Sequence, residues 1–290
     1  MYKRQPLYNK ADYIAETLKS VLNQTYCDYE VIVVNDSSTD NSLEVASSFQ
    51  DERIHIYTKE NEGVSAARNY GIMHAKYDYI AFLDADDIWE SDYLECQKKL
   101  IGTYPDAGIY STAFYSLEKG KRKLRNVLIN EHIHFLVHDY FKESVMNGLS
   151  ICWTSSLCLK KEVIKEIPMF RVGIKRGEDL DLWLRIALNY DVAYLNLPKV
   201  FYRTGLSDSL TSDYSKNGEF PYYEWFNFTS ESSYYRKYVI LVVYIHAKNA
   251  FIHHDYDTCL AELWSVKTIA WRFKWAERLL LLVISWIKSK

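Results

Sequence analysis

Three carboxylates stand at the end of an apolar run: Asp84, Asp86 and Asp87 follow residues 79–83, which read Tyr-Ile-Ala-Phe-Leu. Such a run is typical of a strand buried in a sheet, and its end would hold the carboxylates at the sheet's edge. Carboxylate oxygens are the ligands that hard divalent cations prefer. The stretch therefore predicts a site for a metal ion and a diphosphate, with a solvated turn as the plainer alternative.

A calcium-binding loop is excluded for the same stretch. Counting from Asp84, the twelfth position is Glu95, as such a loop requires, but the sixth is Trp89. That sixth position needs glycine for its sharp turn.

Composition narrows the class of protein. Lysine and arginine number 35 and aspartate and glutamate 38 in 290 residues, so the net charge is 35 − 38 = −3, and no overall basic charge indicates nucleic acid. Five scattered cysteines without C-x-x-C spacing argue against a disulfide framework and a zinc site. No secretory signal and no membrane-spanning apolar run are visible, which predicts a cytoplasmic protein or one at the cytoplasmic face of the membrane.

Residues 7–112 alternate short β-rich runs with helical patterns. This alternation predicts an α/β fold, a mostly parallel sheet flanked by helices in the Rossmann-like manner. In the first helix Ile14, Leu18 and Val21 share one face, with Asn9 as a candidate N-cap. Strand-like runs recur at 108–111, 155–159 and 192–195, so the sheet is expected to continue past residue 112.

Acidic side chains follow two of these runs. Asp36 comes after the strand at 30–34, and Asp84 after the strand at 79–83. Functional groups of such sheets gather where strands end, so the two are expected to be neighbours. Glu178 and Asp179 open an amphipathic helix, where acids often only complement the helix dipole, and a functional role for them needs further support.

Five motifs in this order resemble family 2 glycosyltransferases of the GT-A fold, over residues 6 to about 205. They are Pro6-Leu7-Tyr8-Asn9, the run Val-Val-Asn-Asp-Ser-Ser-Thr-Asp of 33–40, Asn61-x-Gly63-x-Ser65-x-x-Arg68-Asn69, Asp84-Ala85-Asp86-Asp87 and Gly177-Glu178-Asp179. The resemblance implies inverting transfer of a sugar from a nucleoside diphosphate sugar, a UDP-sugar being favoured, to a hydroxyl of a glycan or lipid-linked acceptor. The pathway implied is synthesis of a surface polysaccharide or a lipid-linked glycan.

The resemblance also implies a role for each matching residue. Pro6 and Tyr8 would border the base, Asp36 would hydrogen-bond it, Arg68 would lie near the nucleotide, Asp84 would approach the ribose, and Arg203 would help with the diphosphate. Asp86 would bind the divalent cation, Mn²⁺ or Mg²⁺, with Asp87 supporting it. Asp179 matches the catalytic base, and Glu178 is its neighbour.

Two departures from the family pattern keep another function open. The family enters Pro6 from an apolar central strand, whereas this chain reads Met1-Tyr2-Lys3-Arg4-Gln5, so the first strand is expected to be truncated. The residues after Arg203 lack a histidine that relatives often carry. The alternative is a nucleotide-sugar-binding or scaffold protein without turnover; a phosphatase using Asp84 and Asp86 is disfavoured because position 88 is Ile.

The chain after residue 205 changes character, which predicts a catalytic domain at 1–205 and a helical extension at 206–290. Residues 238–245 form an apolar run too short to span a membrane, and a buried helix is predicted there. Aromatic and basic residues mix with an apolar stretch at 271–290, which suits a helix in the headgroup region of a membrane or one packed on its own domain or on a second subunit of a homodimer.

Loops at about 113–155 and 204–235 are expected to set the sugar and acceptor. Their aromatic residues, Trp225 among them, would either stack on sugars or pack internally.

Overall fold

The computed structural model describes residues 2–148, 150–174, 176–206, 225, 229–252, 254–259 and 261, with side chains from residue 6 onward. The strands are β1 Tyr2–Leu7, β2 Glu30–Asn35, β3 Ile54–Thr58, β4 Tyr79–Phe82, β5 Ile88–Trp89, β6 Ile109–Glu118, β7 Lys121–Arg125, β8 His134–Val137, β9 Leu157–Lys160 and β10 Val192–Arg203. The helices are α1 Ala11–Leu22, α2 Ser42–Ser47, α3 Val64–His74, α4 Tyr93–Thr103, α5 Tyr140–Asn147, α6 Lys161–Glu166, α7 Glu178–Ala187 and α8 Tyr235–Ile252.

The strands form one sheet in the order β3-β2-β1-β4-β9-β6-β10-β5, with β7 beside β6 and β8 beside β10. Strands β3, β2, β1 and β4 are parallel, whereas β9 is antiparallel to both of its neighbours. The predicted α/β fold is confirmed as a mixed sheet with a parallel core. The apolar pattern of residues 155–159 located β9 but could not give its direction, because such a run reads the same both ways.

Alternating side chains of the parallel strands build a core on each face of the sheet. In β2, Val31 and Val33 pack toward α1 and α4, and Ile32 and Val34 pack toward α3 and α7. All six residues of β2 are buried, as expected for a strand covered by helices on both sides. The strand ends that carry Asp36 and Asp84 are therefore fixed from both faces.

A first strand is present in spite of its polar residues. Residues 2–7 form β1, which pairs in parallel with β2 over residues 2–7 and with β4 over residues 2–4. A polar segment can thus take a central place in the sheet, because backbone hydrogen bonds to two neighbouring strands hold it there. Truncation of this strand stays a prediction.

Asn9 does not cap α1, since Lys10 occupies the N-cap position and makes no side-chain capping bond. Asn9 adopts a left-handed conformation (φ 50°), and its Oδ1 accepts a hydrogen bond from the Thr39 N–H at 2.8 Å. Asparagine tolerates this conformation better than most residues. Its side chain thus braces the polar turn after β2.

Helix α8 confirms the buried helix predicted at 238–245, and its Tyr238, Val239 and Val243 share a core with Phe141 and Trp183. No helix within the described ranges is long and apolar enough to cross a bilayer. The segment 271–290, for which a membrane or subunit contact is predicted, lies outside the described residues. The domain boundary at 205/206 stays a prediction.

Candidate active site

The turn after β2 holds Asp36 in a buried position. Its Oδ1 accepts hydrogen bonds from Lys59 Nζ at 3.0 Å and from the Glu62 N–H at 3.2 Å, and its Oδ2 accepts one from the Gly63 N–H at 2.9 Å. Gly63 has φ 87°, which favours glycine, and it directly precedes α3. Asp36 therefore fixes the start of the helix that carries Arg68.

The residues predicted to border the base lie where β1 ends. Pro6 is half-buried and pairs in register with Val34, while Tyr8 is 44% exposed beside the turn that holds Asp36. The backbone joins the two segments, because the Asp36 N–H donates to the Leu7 carbonyl at 2.9 Å. Pro6, Tyr8 and Asp36 are thus neighbours at one edge of the sheet.

Arg68 connects two of the predicted acidic groups. Its guanidinium donates to Glu178 Oε1 at 2.6 Å and to Asp84 Oδ1 at 3.0 Å, and it lies 5.2 Å from the centre of the Phe170 ring. Burial lowers the pKa of Arg68, but the nearby carboxylates raise it above its usual value. The side-chain amide of the next residue, Asn69, donates to the Phe170 carbonyl and accepts from the Phe170 N–H, which holds Phe170 in place.

The loop after β4 places its three carboxylates differently. Asp84 is partly exposed, and Asp86 forms an ion pair with Lys10 Nζ at 3.1 Å. Burial raises the pKa of Asp86; Lys10 acts against this rise, and the charge of Asp84 adds to it. Asp87 is fully buried, and its carboxylate accepts hydrogen bonds from Ser155 Oγ and from the Arg203 N–H. Any support that Asp87 gives to a metal at Asp86 would act through the shape of this loop.

A divalent cation fits this loop by the chemistry of its donors. Asp84 and Asp86 both offer carboxylate oxygens, and the effect of the Asp84 charge on Asp86 reflects concentrated negative charge that a cation would neutralise. Magnesium commonly takes one or two protein carboxylates and completes its shell with phosphate oxygens and water. Over the described ranges no group of three or more His, Cys, Asp or Glu side chains is arranged to hold a metal.

Arg203, at the end of β10, reaches the same loop from the other side. Its guanidinium donates to the Asp86 carbonyl at 2.7 Å and to the Glu16 carboxylate on α1. Lys10 and Arg203 are therefore two cationic groups beside Asp86, and Lys10 is a neighbour that the sequence did not indicate.

Helix α7 begins at the predicted base. Asp179 Oδ2 accepts a hydrogen bond from Thr154 Oγ1 at 3.0 Å, and Oδ1 accepts one from the Leu180 N–H at 2.7 Å. Burial raises the pKa of Glu178 to about 7, the charge of Asp179 adds to the rise, and Arg68 opposes it. Two carboxylates with different environments thus stand side by side.

Thr154 and Ser155, in a short 3-10 turn, join the two halves of the site. Thr154 bonds to Asp179, while Ser155 Oγ donates to Asp87 and accepts a hydrogen bond from the Asp84 N–H at 3.1 Å. Sequence reasoning missed both. The only signal was three consecutive hydroxyl residues, Thr154-Ser155-Ser156, in front of an apolar run, and that pattern occurs in many loops.

Aromatic rings line the wall next to this turn. The Trp153 ring stacks on Phe114 at 5.4 Å between centroids and meets Tyr202 edge-on at 4.8 Å. Burial raises the pKa of Tyr202, and the charges of Asp87, Asp84, Asp86 and Asp179 add to the rise. Trp225, in contrast, is fully buried, so internal packing is the correct one of its two predicted roles.

The model of the family described as "Glycosyl transferase family 2" matches residues 6–167, more than half of the chain. The chain belongs to this family. It is 32% identical over 192 residues to the glycosyltransferase TuaG of Bacillus subtilis, provisionally named for teichuronic acid biosynthesis, covering 65% of this chain and 72% of TuaG. It is also 32% identical over 208 residues to glycosyltransferase GlyA of Streptococcus pneumoniae, covering 68% of this chain but only 30% of GlyA.

Two solved structures share the fold. Residues 1–349 of Staphylococcus aureus TarS in complex with UDP-GlcNAc match with a TM-score of 0.72 and 17% identity, over 90% of this chain and 79% of that one. The mannosyltransferase PcManGT of Pyrobaculum calidifontis, in complex with GDP-Man and Mn²⁺, matches with a TM-score of 0.60 and 18% identity, over 97% of this chain and 80% of that one.

Proposed function

We propose that this protein is an inverting, metal-dependent glycosyltransferase of the GT-A type, which transfers a sugar from a nucleoside diphosphate sugar to an acceptor hydroxyl. One observation carries the proposal: Arg68 and the Thr154–Ser155 turn bind Asp84 and Asp87 on one side and Glu178 and Asp179 on the other. Donor-side acids and a candidate base thus belong to one hydrogen-bonded unit in a member of a glycosyltransferase family.

On the donor side, Pro6, Tyr8 and Asp36 would bind the base and Asp84 the ribose side. Asp86, supported by Asp87, would hold the divalent cation, which when bound supplies Lewis-acid stabilisation of the leaving diphosphate. Lys10 and Arg203 add positive charge beside Asp86, where the diphosphate develops negative charge. The Mn²⁺ and GDP-Man of PcManGT and the UDP-GlcNAc of TarS support this assignment by similarity of fold.

On the acceptor side, Asp179 would take the proton of the attacking hydroxyl. Asp179 lies in the first turn of α7, and a carboxylate is in general only a weak base. The hydrogen bond from Thr154 holds one carboxylate oxygen, so orientation of this carboxylate would contribute more than its basicity. Such proton transfer contributes about 10²- to 10⁴-fold to a rate.

The relatives support a role in polysaccharide synthesis, since TuaG is provisionally named for teichuronic acid biosynthesis. Attachment of residues 271–290 to a membrane, a cytoplasmic location and homodimer formation stay predictions.

Metal-dependent hydrolysis of a panel of nucleotide sugars, measured as released nucleoside diphosphate, tests the proposal. We expect the Asp179→Asn variant to lose transfer while it still binds nucleotide, and the Asp86→Ala variant to lose the metal dependence of donor binding. Loss of transfer and binding together in Asp179→Asn would contradict the base assignment. Donor binding without any turnover by the wild type would support the non-catalytic alternative.

A further inference from the structure

The hairpin of β6 and β7 carries a concentrated positive charge. Five of the seven residues 119–125 are cationic, namely Lys119, Lys121, Arg122, Lys123 and Arg125, although the chain as a whole has a net charge of −3. Every residue of β7 is exposed. Within the described part of the chain, none of these five side chains forms an ion pair with a carboxylate.

The hairpin is a defined structure. Its two-residue turn, Lys119-Gly120, has φ 47° and φ 78°, the conformation of a tight type I′ turn. Strand β7 pairs with β6 at every position from Lys121 to Arg125. The cationic side chains are therefore presented by a fixed backbone.

Three of the cations lie on one face of the hairpin. Lys121, Lys123 and Arg125 are two residues apart, so their side chains leave the same face at intervals of about 7 Å. Arg125 Nε donates to Ser116 Oγ at 3.3 Å, which places this face on the side of Ser116. Arg122 leaves the other face and lies 4.6 Å from the centre of the Phe201 ring.

This face continues into the candidate active site. Lys123 pairs in register with Ser116, and Ser116 pairs with Tyr202, so the three side chains share one face of the sheet. Arg125 pairs with Phe114, whose ring stacks on Trp153 directly before Thr154. The row of cations thus leads from the tip of the hairpin to the residues beside Asp179.

Protection of a sheet edge accounts for a lysine on β7. It does not account for three exposed cations on one face, of which only Lys121 has a carboxylate, that of Glu118, as its cross-strand partner. We propose that this face, the basic face of Lys121, Lys123 and Arg125, binds an anionic glycan chain that presents its hydroxyl to the candidate base. The identity of the glycan as acceptor rests on the proposed function.

A lipid surface fits this face less well than a glycan chain. Leu124 is the one apolar side chain on β7, and it is 48% exposed. Membrane-surface elements combine cations with a broad apolar face that enters the headgroup region. A strip of charge in an extended strand instead matches the repeating charge of an extended polyanion.

Binding of polygalacturonate to the whole protein tests the inference, with dextran as the neutral polymer. We expect binding of polygalacturonate, but not of dextran, that weakens as NaCl rises from about 50 to about 300 mM. The double variant K121Q/K123Q should bind polygalacturonate more weakly than the wild type, by a factor of up to about ten. The matched variant K19Q/K165Q removes two exposed lysines elsewhere and should bind like the wild type.

Three readouts make the outcome decisive. Hydrolysis of the nucleotide sugar with water should be equal in both double variants, because none of the four lysines contacts the candidate site. Equal polygalacturonate binding in both variants would overturn the inference, as would binding that depends on Lys121 and Lys123 to phosphatidylglycerol vesicles but not to the polymer. The wild type could also bind the polymer through Lys121 and Lys123 and yet hydrolyse no nucleotide sugar. That result would refute the proposed function but support binding of an anionic glycan at the basic face.

Discussion

Among the described residues, Thr154 is the one whose side chain donates a hydrogen bond to the candidate base. Asp179 Oδ2 accepts a hydrogen bond from Thr154, which is almost fully buried, while Oδ1 is held by the backbone of its own helix. A carboxylate held at both oxygens has a fixed orientation, and an orientation is what a weak base in a helix's first turn requires. Thr154 is therefore a positioning residue for the proposed reaction.

Thr154→Val keeps the shape of the side chain and removes its hydroxyl. We expect kcat for transfer to fall about 10- to 100-fold, with KM for the donor unchanged, because the donor-side residues keep their contacts. Thr154→Ser should restore most of kcat. A parallel rise in KM, or a Thr154→Ser variant as slow as Thr154→Val, would indicate a general structural defect instead.

Ionisation of the neighbouring Glu178 makes the stability of the protein depend on pH. Its pKa of about 7 in the folded protein exceeds the ordinary value of 4.5, so its contribution to stability is complete below pH 4.5 and is lost as pH rises to about 7. Glu178→Gln cannot ionise. Relative to the wild type, the variant should therefore gain about 1–3 kcal/mol in the free energy of unfolding between pH 5 and 7.5.

Urea unfolding at several pH values measures this difference. Glu44→Gln, at an exposed position of α2, serves as the control and should give a difference that does not change with pH. A Glu178→Gln difference that is flat with pH, or that falls as pH rises, would show that Arg68 keeps Glu178 ionised in the folded protein.

The elements that carry the site were largely predictable from the sequence. The apolar runs that became β2 and β4 indicated where Asp36 and Asp84 would lie, because a strand buried on both faces leaves a clear pattern. The extent of strand β1 was less clear from its polar residues, since its position depends on hydrogen bonds to two distant segments. The Thr154–Ser155 turn was not predicted either, because its partners Asp179 and Asp87 are 25 and 68 residues away.

Packing of α7 against the sheet depends on a glycine before β6. A Cβ added at Gly108 would lie 2.5 Å from Tyr190 Cβ and 3.2 Å from Ile186 Cγ2. Gly108→Ala should therefore push α7 outward and destabilise the protein by about 1–3 kcal/mol. Gly102, in α4, has nothing within 4 Å of an added Cβ, and Gly102→Ala should stabilise the protein by up to about 1 kcal/mol.

Thermal unfolding of both variants checks this pair. Donor binding should survive in Gly108→Ala more than transfer does, because α7 carries the candidate base and little of the donor site. Equal melting temperatures for Gly108→Ala and Gly102→Ala would show that Tyr190 and Ile186 move aside without cost.

At the scale of the whole molecule, Trp225 and α8 share a core with the sheet. Trp225 is fully buried and donates from Nε1 to Asp181 Oδ1 at 2.9 Å, and its carbonyl accepts from Tyr235 of α8 at 2.7 Å. Asp181 itself is fully buried and also pairs with Arg185 at 2.9 Å. The helix that begins at the candidate base is thus joined to α8 through Trp225.

Trp225→Phe removes the donor and leaves a buried carboxylate oxygen of Asp181 without this hydrogen bond. We expect a loss of about 1–3 kcal/mol in the free energy of unfolding, because an unsatisfied buried acceptor carries its full desolvation cost. Since α8 and α7 belong to one core, near-UV circular dichroism and donor binding should be lost in a single transition. Tyr244→Phe, at an exposed position of α8, should leave both unchanged. Two separate transitions in the wild type would instead favour an extension that folds independently of the catalytic domain.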